Sequence, residues 1–497
     1  MASNYTNSLY RDYEEILKRY ESQVQLLQET NKLIKELNGT ISSLNETIAN
    51  LTEENETLKK EILRLKSQND KDSSNSSKPS STNGYKKVII NRREKTGKKQ
   101  GGQKGHEGHK LDSKLEQFIN SGNVLERIVE VNKTEKNKNK RYRERVVIDI
   151  KVVKTITRYR YYPDENNKYN IPKEHNQNVR YGSNVKTIAV DLMNNLYNST
   201  DGVARFIKDI TNEGISLSKG TLINWNNELK EKLTSLINKI ETNLLNSYYI
   251  NHDESTIKID GENNNIFCAC NKFNTRLWPS EHKSQESLDE VGFLPQFKGV
   301  IVKDGTELYN KYGICLSQCL SHILRYLKGI YDYIPHKSPK ELSEFLSYCN
   351  KMRNELIKKD ITSFSIEEYN SLIVKYNELI DNWEKELRED TDNYLFDDEL
   401  KLWKRMKYDN KAMDSSIRGD KDEILYFLKD FKVPSTNNPA EVAQRGAKIK
   451  QKIGKFRSFE GADAYCIIKS CILTYKKNNI NVYNALVSAF DNNLVLI

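Results

Sequence analysis

The sequence predicts a multidomain α+β chain of 497 residues: an N-terminal parallel coiled coil, a small β-rich module, a helical segment and an α/β domain interrupted by an all-helical insertion. Three observations predict it. Isoleucine and leucine alternate in a seven-residue repeat from Ile34 to Leu65. β-Branched runs bounded by turn residues recur at 248–259 and 300–302. Amphipathic helical spacing then fills 323–415. A chain this long exceeds one hydrophobic core. Composition and periodicity divide it at 1–68, 69–110, 111–175, 176–245, 246–322, 323–415 and 416–497.

In the first segment Ile34, Ile41, Ile48, Asn55 and Ile62 fall at heptad a positions and Leu37, Leu44, Leu51, Leu58 and Leu65 at d positions. Isoleucine at a with leucine at d favours two parallel helices, and a lone Asn at a fixes their register. Glu54 and Glu61 at g would face Lys59 and Lys66 at e of a partner, so a homodimer or higher oligomer is expected. Gly39 falls outward, at f. Beyond Leu65 the chain turns to Ser, Asn, Lys and Asp and reaches its first proline at Pro79, which reads as a flexible linker. A basic arm follows, with Lys98, Lys99 and Lys104 among nine cations between Lys86 and Lys110 against Glu94 and Glu107. With a net charge of +10, this points to an anionic partner. No run of 18 apolar residues and no apolar signal core occur, so a cytoplasmic protein without a membrane partner is expected. All seven cysteines lie at or after Cys268, which suits reduced thiols.

Alternation over Val124–Val131 and Tyr142–Tyr162 predicts the β-rich module. From Tyr181 to Leu233 the pattern is helical, and Gly202–Ile210 and Ser218–Leu233 flank Asn212-Glu213-Gly214-Ile215-Ser216 in the manner of a helix-turn-helix. Its second helix, capped by Ser216 or Ser218, would present Thr221, Asn224 and Asn227 to a DNA groove.

Three acids then stand in settings that converge. Asp253 lies in the run Tyr248–Ile259, a strand closed by the Asp260-Gly261 turn, so Asp253 and Glu254 face opposite sides. Asp304 follows Val300-Ile301-Val302, at the carboxyl end of a buried strand, where open α/β sheets place ligands. Glu441 sits in the first turn of a helix with Asn438 as N-cap and Pro439 at N1. Carboxylates on three elements can hold two divalent cations about 3.5–4 Å apart for an in-line displacement at phosphorus. Oxygen donors favour Mg²⁺ or Mn²⁺. Each acid also has a plainer reading: a surface charge, a turn former, and half of a capping box.

These segments, with Asp304-Gly305 followed by Tyr309, Cys319-Leu320-Ser321-His322 with Arg325, and Asn437-Asn438-Pro439-Ala440-Glu441 with Arg445, resemble the transposases of the insertion sequence 66 family. Ser74–Ser81 and Gly101–His109 match as well. The resemblance implies a ribonuclease-H-like catalytic domain, an Asp-Asp-Glu triad of Asp253, Asp304 and Glu441, two Mg²⁺ or Mn²⁺ ions, and DNA partners: the element's terminal repeats and a target. His322 and Arg325 would then face phosphate, and Arg445, Lys448, Lys452, Lys455 and Arg457 would neutralise the bound strand. Family members often carry a cysteine-ligated zinc module near 111–175. No cysteine precedes Cys268, and His106 with His109 cannot complete a tetrahedral site, so no structural zinc is expected. Cys315, Cys319 and His322, if placed on one helix, would share a face, but a buried apolar role for the thiols is preferred. The expected activity is metal-dependent DNA strand cleavage and strand transfer, and the alternative is a non-catalytic coiled-coil DNA-binding protein derived from such an enzyme.

Overall fold

The computed structural model describes residues 2–72, 75–76, 115–120, 124–136, 138–139, 141, 143–172, 175, 177–390, 395–409 and 419–497. Helix α1 (Ala2–Asn69) runs uninterrupted because no proline enters it and Gly39 is its one glycine. At 1.5 Å per residue it is roughly 100 Å long. Local pairs support it, Arg19 with Glu15 at 2.9 Å and Arg64 with Glu61 at 2.7 Å. Its isoleucine and leucine stripe from Ile34 to Leu65 is exposed. The basic arm, with Lys98, Lys99 and Lys104, and the two family motifs around it lie largely outside the described residues.

No strand of the expected β-rich module is formed among the described residues. After α2 (Leu115–Asn120), the described residues from 124 to 172 make no strand. Adjacent Val146 and Val147 are both exposed, 54% and 87%, so neither face of the segment is packed and alternation has nothing to pair with. One tie to the body is Lys154 Nζ, which donates to the Thr211 carbonyl at 3.3 Å.

Four helices follow: α3 (Ser183–Asn194), α4 (Thr200–Ile210), α5 (Lys219–Lys232) and α6 (Thr234–Leu245). The Ser199 and Ser218 hydroxyls accept from the backbone N–H groups of Gly202 and Thr221, capping α4 and α5. Between them Asn212 and Glu213 adopt positive φ (48° and 59°), turning the chain sharply enough for the pair to pack. Val203, Ile207, Leu222, Trp225 and Leu229 fill the inner face and join the core under the sheet.

That sheet has five strands: β1 (Tyr249–Ile259), β2 (Glu262–Cys270), β3 (Thr275–Ser280), β4 (Val300–Lys303) and β5 (Cys315–Gln318), with α7 (Gln285–Val291) between β3 and β4. Their order is β3-β2-β1-β4-β5. β1, β2 and β3 pair antiparallel, whereas β4 pairs parallel with both β1 and β5. Asp260 and Gly261, at φ 50° and 92°, close the β1–β2 hairpin with both central residues at positive φ. Ile250, Phe267 and Ile301 point to one face, against the α3–α6 helices. Ile257, Ile259, Ile266, Cys268 and Leu277 join a second cluster.

Beyond β5 come α8 (Leu320–Tyr331), α9 (Ser338–Ile357), α10 (Ile366–Glu389), α11 (Phe396–Lys407), α12 (Lys421–Ile424) and α13 (Tyr426–Lys429). They enclose their own core, from Leu320 to Phe431 around Trp383 and Tyr376. The Ser365–Glu368 capping box that starts α10 is formed in both directions. Helices α14 (Asn438–Gly454), α15 (Phe459–Lys477) and α16 (Val482–Phe490) return to the sheet. Small residues Ala440, Ala443 and Ala447 let α14 lie close against β1 and β2. None of the described helices is long and apolar enough to cross a membrane.

Candidate active site

Period-two alternation in β1 separates its two acids. Asp253 stands opposite Cys268 on the face covered by α14, and Glu254 stands opposite Phe267 on the other. α14 is fastened to β1 beside Asp253 by side-chain amides. Asn437 Nδ2 donates to the His252 carbonyl at 2.8 Å, Asn251 Nδ2 donates to Asn437 Oδ1 at 3.1 Å, and Gln444 Nε2 donates to the Asp253 carbonyl at 2.8 Å. These contacts satisfy buried polar groups and fix the rotation of α14 over the strand. They also correct the expected cap. Asn437, not Asn438, precedes the helix, and its side chain is spent on β1 instead of capping. Glu441 therefore falls one position past that of a capping-box acid, so this plainer reading fails.

Asp304 follows β4, and its Oδ1 accepts the Thr306 N–H at 3.0 Å. Asp253, Asp304 and Glu441 come from β1, the end of β4 and the first turn of α14, yet their charges meet. Burial first, then the carboxylates of Glu254, Asp304 and Glu441, hold the Asp253 carboxyl well above the usual range. Along the chain the second and third acids are 441 − 304 = 137 positions apart, with the helical insertion between them. Among the described residues, the ligand atoms that lie within 4.8 Å of one another are those of Cys319, His322 and Glu441; carboxylate oxygens such as those of Asp253, Asp304 and Glu441 are the donor type that suits Mg²⁺ or Mn²⁺.

On the opposite face Glu254 accepts from the Tyr309 hydroxyl and pairs with Lys283. Burial opposes the charge on Lys283, but Glu254, Asp304 and Asp253 outweigh it and raise its pKa. Tyr309 is fully buried and stands edge-on to His252, at 4.7 Å between ring centroids, tying the Asp304 loop to β1. Lys283 carried no sequence signal, since it lies in an ordinary polar turn.

Cys315, Cys319 and His322 do not share a helix. Cys315 is exposed at the start of β5, Cys319 lies between β5 and α8, and the helix begins at Leu320. Cys319 Sγ accepts the Asn437 N–H at 3.2 Å. His322 is buried, with Nδ1 4.0 Å from Glu441 Oε1 and Nε2 3.4 Å from Arg325 Nη1. Burial and then Arg325 depress its pKa, only partly offset by Asp304 and Glu441. His322 thus faces Glu441.

Of the basic candidates, Arg445, Lys452, Lys455 and Arg457 are exposed. Lys448 is half-buried, its ammonium donating to the Thr256 carbonyl, and burial lowers its pKa. The insertion reaches back to the site through buried polar contacts. Lys303, next to Asp304, lies 3.2 Å from Glu423. Gln318 Nε2 donates to Glu423 at 3.1 Å, and Arg405 binds both Gln318 and Asp420, at 3.1 and 2.6 Å.

No curated protein matches the chain. Residues 20–112 match a family of unknown function (DUF6444). Residues 183–464, more than half of the chain, match the Transposase IS66 family and include all three acids, the strands that carry them and the helical insertion. The chain belongs to the Transposase IS66 family.

Proposed function

We propose that the protein is a DNA transposase of a bacterial insertion sequence that binds the element's ends and performs metal-dependent strand cleavage and strand transfer. The observation that carries this reading is the crowding of the Asp253, Asp304 and Glu441 carboxylates from three separate elements. The strand order β3-β2-β1-β4-β5, antiparallel on one side of β1 and parallel on the other, supports a ribonuclease-H-like catalytic domain. Two Mg²⁺ or Mn²⁺ ions bound there would supply a nucleophile near neutral pH and charge neutralisation on both sides of the scissile phosphorus. Asp253 and Asp304 anchor from the rigid sheet, and Glu441 approaches from α14. Arg445 and Lys452, about one and about three turns along from Glu441, draw the phosphate backbone across the acids, and Lys455 and Arg457 extend the path. The exposed Asn224 and Asn227 on α5 offer amides to a groove of the element end. The exposed isoleucine and leucine stripe of α1 would pair with that of a second copy, giving a dimer that holds two ends at once.

The test is purified protein, the flanking ends of its own element and Mg²⁺. Wild type is expected to nick and join, while Asp253→Asn, Asp304→Asn and Glu441→Gln bind the ends normally without cleaving. Because Glu441 makes no capping box, Gln should leave the fold intact. Cleavage by any of the three at the wild-type rate would remove that residue from the site.

A further inference from the structure

The buried imidazole of His322 has no part in the reading above. It is 8% exposed, and its Nδ1 is buried without a hydrogen-bond partner. Arg325 Nη1 lies 3.4 Å from the other ring nitrogen, Nε2. A guanidinium only donates, so Nε2 is the acceptor and a neutral ring carries its proton on Nδ1. Glu441 Oε1 lies 4.0 Å from Nδ1, outside hydrogen-bond distance by about half an ångström. Cys319 Sγ lies within 4.8 Å of both groups but already accepts from Asn437. A buried donor is costly while unpaired, and a Glu441 oxygen is the acceptor that lies toward it.

We propose that His322 is the positioning residue of Glu441: Arg325 fixes the proton on Nδ1, and Nδ1–H holds one Glu441 oxygen so that the other is presented to a divalent cation. This rests on Glu441 being a ligand. It assigns to α8, the first helix after β5, the role that outer partners of metal-bound carboxylates play, and the loss of such a partner usually weakens binding 10–100-fold. The imidazole then acts through Glu441 and does not touch DNA.

Asparagine and glutamine separate the possibilities, because the Asn amide nitrogen superposes on Nδ1 and the Gln nitrogen on Nε2. Mn²⁺ binding to the full-length protein, followed by electron paramagnetic resonance, is the readout, with thermal melts to confirm folding. His322→Asn is expected to bind Mn²⁺ within about threefold of wild type, and His322→Gln about tenfold or more weakly. Equal affinity in wild type and His322→Gln would overturn the proposal. Equal losses in both variants would overturn it in favour of direct ligation by the ring. If wild type itself bound no better than Asp253→Asn, the Asp-Asp-Glu reading would fall and this proposal with it, a result distinct from the other two.

Discussion

Asp253 carries the clearest electrostatic consequence at the scale of one residue. Its carboxyl is held well above its unfolded value of 3.8 by burial and by Glu254, Asp304 and Glu441. As pH rises past 3.8 the unfolded chain ionises first, so the cation-free fold loses stability, and the loss is complete once pH exceeds the folded pKa. Above pH 3.8 this crowding is therefore destabilising to the cation-free fold. Asp253→Asn is expected to raise the melting temperature of the cation-free protein, at about 2–4 °C per kcal/mol for a domain of this kind. It should also abolish the extra stabilisation that Mg²⁺ gives wild type by mass action. Melts with and without Mg²⁺ decide this, and a variant that melts below wild type without Mg²⁺ would show that the crowding costs nothing. The opposed directions of Asp253 and Glu254 were legible in the sequence, because a strand alternates strictly. The setting of Glu441 was legible only to within one residue, since nothing local reveals that Asn437 is committed to β1.

Elements were legible in proportion to how much of their stability is local. The heptads of α1, the Ser365 capping box, the Ser218 cap and the Asp260-Gly261 hairpin each follow from neighbours in sequence. The described residues of 124–162 form no strand, since alternation specifies faces but not the strand that must pair with them. The Cys315–His322 spacing does not become one helical face because the strand-to-helix break at Cys319 interrupts the helical period. For α1 the exposed stripe gives a sharp expectation. Asn55→Ile should raise the thermal midpoint of the coil seen by circular dichroism and broaden its oligomer distribution, since the polar a position sets register at a cost in stability. Deleting residues 30–67 should weaken self-association, and an unchanged dimer in sedimentation would place the interface elsewhere.

Across the whole molecule, the two largest cores among the described residues are distinct clusters. One lies under the sheet and the other inside the insertion, and Arg353 on α9 joins the second to the approach of α14. Its Nη2 donates to the carbonyls of Phe431 and Val433 at 3.0 and 2.7 Å, just before the Thr436–Asn437 segment that delivers Glu441. Arg353→Met would strand both buried carbonyls, at a cost of about 1–3 kcal/mol, and let that segment drift. Urea unfolding beside the cleavage assay should show a loss of stability and of rate together, and a full rate in the weakened variant would confine the clamp to folding. The wide interval between Asp304 and Glu441 also has a meaning in time. Chains emerge from the ribosome at about 5–20 residues per second, so the 137 positions between the two acids take roughly 7 to 27 s to synthesise. During that interval a nascent chain can fold β1 to β5 and display two acids, but the third does not yet exist. On the proposed reading, a copy that ends before residue 441 lacks its third acid however much of its sheet has formed.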